Sequence, residues 1–200
     1  MSYPIPAATL ETTLEIKKSL FHACAGYAPD RYAAMAIVEQ CKRRYPDARH
    51  HCWAYLLGDP NTPSSAAMND DGEPSGTAGK PILNVLQHKG IGDIVVVVSR
   101  YFGGIKLGAG GLVRAYSRAT QQTVEQLTIE QRIAREVHRI ECDFKHEQYL
   151  RLWLEQHNAL VENCNYAQGA ILEIAIPAGA LTELDNLLAS LSNSRRLSNE

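Results

Sequence analysis

The sequence predicts an α+β protein built from two units. Strand-like and helix-like patterns alternate through roughly the first 127 residues. The remainder carries the order strand, helix, strand, strand, helix, which fits a small ferredoxin-like unit. The apolar share, 45% of 200 residues, can fill a core, yet no stretch approaches the length needed to span a bilayer. The expected division is 1–127 and 128–200.

The N-terminal run MSYPIPAATLETTLE has neither a basic start nor a long apolar core, so it does not read as a secretory leader. Thr9–Glu15 and Ser19–Gly26 are strand-like and adjacent enough to pair. Asp30 is placed to cap a helix running to about Tyr45, with Ala34, Ile37, Val38, Cys41 and Tyr45 on one stripe and Pro46 beyond its end. His51–Leu57 reads as a strand. Residues 58–79 (GDPNTPSSAAMNDDGEPSGTAG) are too polar for a core element and read as one long loop, of a kind that is usually functional or mobile. Pro81 suits the first turn of a short helix that Gly90 can close. DIVVVVS, Asp93–Ser99, is a buried strand. From Leu112 the pattern is helical, with Leu112, Tyr116, Ala119, Thr123 and Leu127 on one face and Arg114, Arg118, Gln121 and Glu125 on another.

In the second unit Val137–Phe144 reads as a strand and His146–Asn158 as a helix with Leu150, Trp153, Leu154 and His157 inward. Leu160–Tyr166 and Ala170–Pro177 read as a hairpin, and Leu181, Leu184, Leu188 and Leu191 mark a last helix. A closing strand is due in SNSRRLSNE, which is short and polar.

Five cysteines, Cys24, Cys41, Cys52, Cys142 and Cys164, are scattered without a CxxC pair, which argues against a disulfide framework and for a cytoplasmic protein. The net charge of −2 argues against wholesale coating of nucleic acid. That total hides a local excess, because Ile94 to Val124 contains no Asp or Glu but carries Arg100, Lys106, Arg114 and Arg118.

Inside this basic segment five of the nine residues from Gly103 to Gly111 are glycine: Gly103, Gly104, Gly108, Gly110 and Gly111. A glycine loop entering a helix N-terminus offers free backbone N–H groups and a positive dipole end, a setting for an anion. Three readings stand: a tight strand-to-helix turn alone, an anion or phosphate-backbone site, or catalysis. The spacing is not the GxGxxG of a dinucleotide site. SGTAGK, Ser75–Lys80, fails as a P-loop because Pro74 stands where its first glycine belongs and Pro81 where its Ser or Thr belongs.

Asp70, Asp71, Glu73 and Ser75 form an acidic loop: a solvated turn, cation ligands without calcium-loop spacing, or contacts to the basic glycine segment. His50, His51 and Cys52 are adjacent on a strand, so their side chains point to opposite faces and do not make a metal or catalytic cluster. No metal and no cofactor is expected. Lys42, Arg43, Arg44 and Arg49 surround a helix end, where they suit the dipole and can extend a basic surface. Tyr101 and Phe102 either bury the loop base or stack a nucleic-acid base.

Two long motifs in order, DDGEPSGTAGKPIL (Asp70–Leu83) and VVVVSRYFGGIKLGAGGLVRAYS (Val95–Ser117), resemble the IMPACT family in its bacterial, two-domain, YigZ-type branch. Lys18-Ser19-Leu20-Phe21 and ARHHCWAY (Ala48–Tyr55) match earlier parts of the same pattern. The resemblance covers residues 16–125; the rest is similar in layout only. It implies an N-terminal domain similar to domain 2 of ribosomal protein S5 and domain IV of elongation factor G, and a C-terminal domain similar to domain V of that factor. Eukaryotic relatives regulate translation by binding the ribosome-associated activator of an initiation-factor kinase. For a chain of the bacterial type this implies a general link to translation, with RNA, the ribosome or a translation-related protein as partner. The resemblance carries no catalytic residues across.

The leading expectation is therefore a non-enzymatic binding protein that touches phosphates through Lys106, Arg114, Arg118 and loop N–H groups, with Arg100 lending charge or bracing the loop. The alternative is a small enzyme for a phosphorylated or nucleotide ligand, by analogy with small-molecule kinases of S5-like fold; Asp70, Asp71 and Glu73 are then the only nearby bases. A third reading is a protein-interaction module that uses the C-terminal sheet edge.

Overall fold

The computed structural model describes residues 2–197, which form two compact units, Ser2–Arg132 and residues 133–197. It is a mixed α+β structure.

The first unit runs β1 (Ser2–Pro6), β2 (Leu10–Ile16), β3 (Ser19–Tyr27), α1 (Arg31–Arg44), β4 (His50–Leu57), β5 (Ser65–Asn69), α2 (Gly79–Lys89), β6 (Ile94–Tyr101), α3 (Ala109–Glu125) and β7 (Ile129–Ile133). Strands β2-β3-β6-β4-β5 form one antiparallel sheet in that order. The apolar run of β6 follows from its central place. Ile94, Val96 and Val98 face α2 and α3 with Phe21, Ile82, Leu86 and Tyr116, while Val95 and Val97 face α1 with Ala34, Val38 and Cys41. A strand covered on both faces needs apolar residues at every position.

Local signals account for the helices. Asp30 accepts the Ala33 N–H at 2.8 Å and starts α1. Gly90, at φ 64°, closes α2. Leu112, Tyr116, Ala119 and Thr123 are the buried face of α3, with Leu127 buried just past its end.

Residues 58–79 are not one loop. They contain β5, an edge strand whose side chains are mostly exposed, so its composition looks like a loop's. β1 pairs with β7, a contact between segments far apart in sequence that no local pattern announces.

The second unit runs β8 (Arg135–Cys142), α4 (Phe144–Gln156), β9 (Leu160–Tyr166), β10 (Ala170–Pro177), a single 3₁₀ turn (Ala178–Ala180), α5 (Leu181–Ser190) and β11 (Arg195–Leu197). Its antiparallel sheet has the order β11-β8-β10-β9. Ile140, Leu172, Ile174 and Ile176 meet Leu150, Leu154, Leu184 and Leu188 in a separate core. Trp153 and His157 stack on each other with ring centres 3.7 Å apart, rather than entering that core fully. The closing strand is formed but spans only three residues beside β8; the end of SNSRRLSNE, 198–200, lies outside the described residues.

A candidate anion site at the start of α3

The glycine segment joins the end of β6 to α3. Gly103 is pressed against the turn between β2 and β3: a Cβ there would lie 2.0 Å from the Lys18 carbonyl carbon, and its N–H bonds Ser19 Oγ at 3.1 Å. Gly108 holds φ 71° and ψ 166°, a combination essentially closed to other residues. It precedes α3 with no side chain capping the helix. The first bond of the ladder is Leu112 N–H to Gly108 O, at 2.9 Å, so the N–H groups of Ala109, Gly110 and Gly111 lie ahead of it. Gly110 is exposed, and its nearest prospective neighbour is the Arg114 guanidinium, which reaches back along the helix to within 3.6 Å of a Cβ at that position. Gly104, at φ 85°, is also exposed.

The acidic loop is organised differently. Asp70 accepts three backbone N–H groups, from Gly76 at 2.7 Å, Ala78 at 3.0 Å and Gly79 at 2.8 Å. Burial acts to raise the Asp70 carboxyl, but these three bonds outweigh it and hold the group below the ordinary carboxylate value. Asp71 accepts the His51 N–H at 2.6 Å. Glu73 points inward and meets Arg100, Nη1 to Oε1, at 2.6 Å; the same oxygen accepts the Tyr116 hydroxyl at 2.9 Å. Ser75 is exposed on the turn. Glu73 thus carries a contact from the acidic loop to the basic segment, through Arg100 and Tyr116.

Arg100 is therefore a brace. It is 6% exposed and Glu73 is 8% exposed, so the pair is largely buried. Phe21 and Phe102 lie with ring centres 5.5 and 5.8 Å from the guanidinium carbon. Arg100 Nε is buried and has no hydrogen-bond partner among the described residues. Such an orphan donor costs free energy unless something completes it. Behind the pair, Cys52 Sγ lies 3.3 Å from the Tyr116 hydroxyl and 2.9 Å from Asp70 O. Burial pushes both the Cys52 thiol and the Tyr116 phenol up, which favours their protonated forms.

A cavity of about 380 Å³ opens at this junction. Arg49, Arg100 and Lys106 supply cations; Phe102, Leu107 and Leu112 supply apolar wall; Gly108 and Ala109 bring the start of α3. Glu73, Pro74 and His50 complete the lining. Three cations thus face one carboxylate that is already paired. The structure gathers Arg100, Lys106 and Gly108 from the expected set. Arg118 belongs instead to a separate shallow hollow with Gln121, Gln122, Glu125 and Gln126. Arg49 and His50 enter the site through strand register, since His50 lies opposite Arg100. The signal in the sequence was the pairing of HHCWAY with VVVVSRY, not the residues themselves.

His50 Nδ1 lies 2.8 Å from Asp71 O, His51 Nδ1 lies 2.8 Å from Ser99 Oγ, and Cys52 turns to Asp70 O. The three side chains do not converge, and among the described residues no group of three His, Cys, Asp or Glu is placed to hold a metal ion. No helix among the described residues is long and apolar enough to cross a membrane.

Comparison with known proteins places these motifs. Residues 17–124 match the family model of the Impact N-terminal domain, and residues 140–195 match a domain of unknown function, DUF1949. The chain is 39% identical over 191 residues to the IMPACT family member YigZ of Escherichia coli K12, covering 96% of this chain and 94% of that protein. It is 34% identical over 193 residues to an IMPACT family member of Haemophilus influenzae, with the same coverages. A solved structure described as a hypothetical protein superposes with a TM-score of 0.73 at 37% identity, covering 100% of this chain and 98% of the other.

Proposed function

The chain belongs to the IMPACT family, and from that premise we propose that it is a non-enzymatic, translation-associated protein of the cytoplasm that binds RNA, free or on the ribosome. A backbone phosphate is held at the start of α3 by free N–H groups and Lys106. On this reading the 1–127 domain is S5 domain 2-like. The 128–200 domain is ferredoxin-like and similar to domain V of elongation factor G.

One observation carries the reading: an uncapped helix start opens into a cavity whose wall holds a buried arginine with an unpartnered Nε. Helix N-termini with added cations favour phosphate. Arg114, folded back over Gly110, adds positive charge to the same turn. The carboxylates that an enzyme would need as base or metal ligand are committed elsewhere, Asp70 to backbone N–H groups, Asp71 to His51 and Glu73 to Arg100.

Co-sedimentation with ribosomes at low and moderate salt tests this. Binding that weakens with salt is expected, as for any phosphate contact, together with its loss in Lys106→Glu/Arg114→Glu. Equal binding by that variant would show the site to be wrong, and no binding at either salt would remove the ribosome as partner. A second reading, a small enzyme for a phosphorylated or nucleotide ligand, is favoured only by the size of the cavity, which suits a small ligand. A nucleotide panel with and without Mg²⁺ that raises Tm would support it.

A further inference from the structure

We infer that the cavity at the start of α3 accepts a nucleotide whose base is unpaired, with the base stacked on Phe102 and its phosphate at Lys106 and the leading N–H groups of α3. The inference rests on the phosphate-binding reading above and adds the base. Phe102 is the first residue after β6, lines the cavity and is 49% exposed. Its ring is neither buried in the core nor turned away from the site. The Arg100 guanidinium carbon lies over its ring at 5.8 Å from the centroid, a cation–π contact that holds the ring at the cavity, and an exposed aromatic ring is the kind of surface on which bases stack. Leu107 and Leu112 continue the apolar wall. An anion pocket alone needs no such wall.

Size sets the rest. A cavity of about 380 Å³ holds one nucleotide unit and cannot take a base that stays paired inside a duplex. Glu73, the one acid in the lining, is held by Arg100 and Tyr116 and so presents little free charge. His50 bonds the Asp71 carbonyl through Nδ1, which makes that nitrogen the donor.

The test is fluorescence anisotropy with a short labelled single-stranded RNA, the same RNA in a duplex, and AMP as competitor. Single-stranded RNA should bind more tightly than the duplex. Phe102→Ala should weaken it about tenfold with an unchanged salt slope. Phe102→Trp should retain binding, and Phe102→Leu, which keeps bulk without a π-face, should behave like Phe102→Ala. Lys106→Ala should instead lower the salt slope by about 0.7. If Phe102→Ala and Phe102→Leu bind as the parent does while Lys106→Ala is impaired, base stacking is overturned and the phosphate reading stands. If no variant alters binding, or no RNA binds, both fall. Competition by AMP at concentrations comparable to the RNA would assign the platform to a free nucleotide and overturn only the RNA partner.

Discussion

Two loops meet at one cavity and treat their polar groups in opposite ways. The acidic turn 70–79 spends its groups internally: Asp70 on three backbone N–H groups, Asp71 on the His51 N–H, Glu73 on Arg100 and Tyr116. The glycine segment pairs Gly103 N–H with Ser19 Oγ but leaves three N–H groups ahead of the α3 ladder and an exposed Lys106, next to the orphan Nε of Arg100 in β6. Both stretches are rich in glycine, so glycine content does not separate them. Satisfaction does. A loop whose polar groups find partners within the protein is scaffold, and a loop whose groups do not is where a ligand can gain binding energy.

The sharpest way to break the comparison is at the contact between the two loops. Glu73→Ala leaves Arg100 charged and unpaired in a largely buried position, and should cost about 3–5 kcal/mol of unfolding free energy in urea titration. The double change Glu73→Gln/Arg100→Met should recover a large part of that loss. A single variant within about 1 kcal/mol of the parent would mean that water reaches the pair.

The next effect is smaller and depends on pH. Asp70→Asn keeps one acceptor oxygen but replaces the other with a donor, so it should cost about 1–3 kcal/mol at pH 7. In the folded protein the Asp70 carboxyl is held below its ordinary value of 3.8. Its contribution is therefore complete above that ordinary value and is lost as pH falls through the lower folded value. The gap between parent and Asp70→Asn should be flat from pH 7 to about pH 5 and close below about pH 4. A gap that persists into strong acid would show that the carboxylate charge is not what holds the turn.

The smallest effect on stability is expected at Lys106, exposed on the glycine segment. Lys106→Ala should change unfolding free energy by no more than about 0.5 kcal/mol, while it weakens RNA binding. A large destabilisation would place Lys106 with the scaffold and erase the contrast between the loops.

The features that were legible in the sequence are those set by neighbours. Asp30 and Gly90 mark helix ends, DIVVVVS marks the central strand, and the stripe through Tyr116 marks the buried face of α3. What was hidden depends on distant partners. SAAMN has no alternation to read because its strand is an edge exposed along most of its length. Ser2–Pro6 is a strand only because Ile129–Ile133 lies beside it. In the chain Arg100 reads as either lending charge or bracing the loop, and the choice between the two depends on Glu73, 27 residues earlier, being folded against it. The cavity gathers Arg100, Lys106 and Gly108 from the residues read as an anion site, and Arg49 from those read as extending a basic surface, while His50 required the pairing of β4 with β6.

That pairing also bears on how the protein is made. In the order β2-β3-β6-β4-β5, the strand in the middle is the last to leave the ribosome. Until residues 94–101 emerge, β2 with β3 and β4 with β5 are two separate hairpins, and β3 and β4 each present an unpaired edge. Open edges of this kind invite mispairing, and joining them requires long-range contacts that form slowly. Nascent chains halted before β6 should therefore be prone to aggregation. Arrival of one eight-residue strand closes both edges at once and brings Arg100 to Glu73. Completion of the sheet thus comes first, and the cavity beside it is finished only when residues 102–112, which supply most of its lining, follow β6.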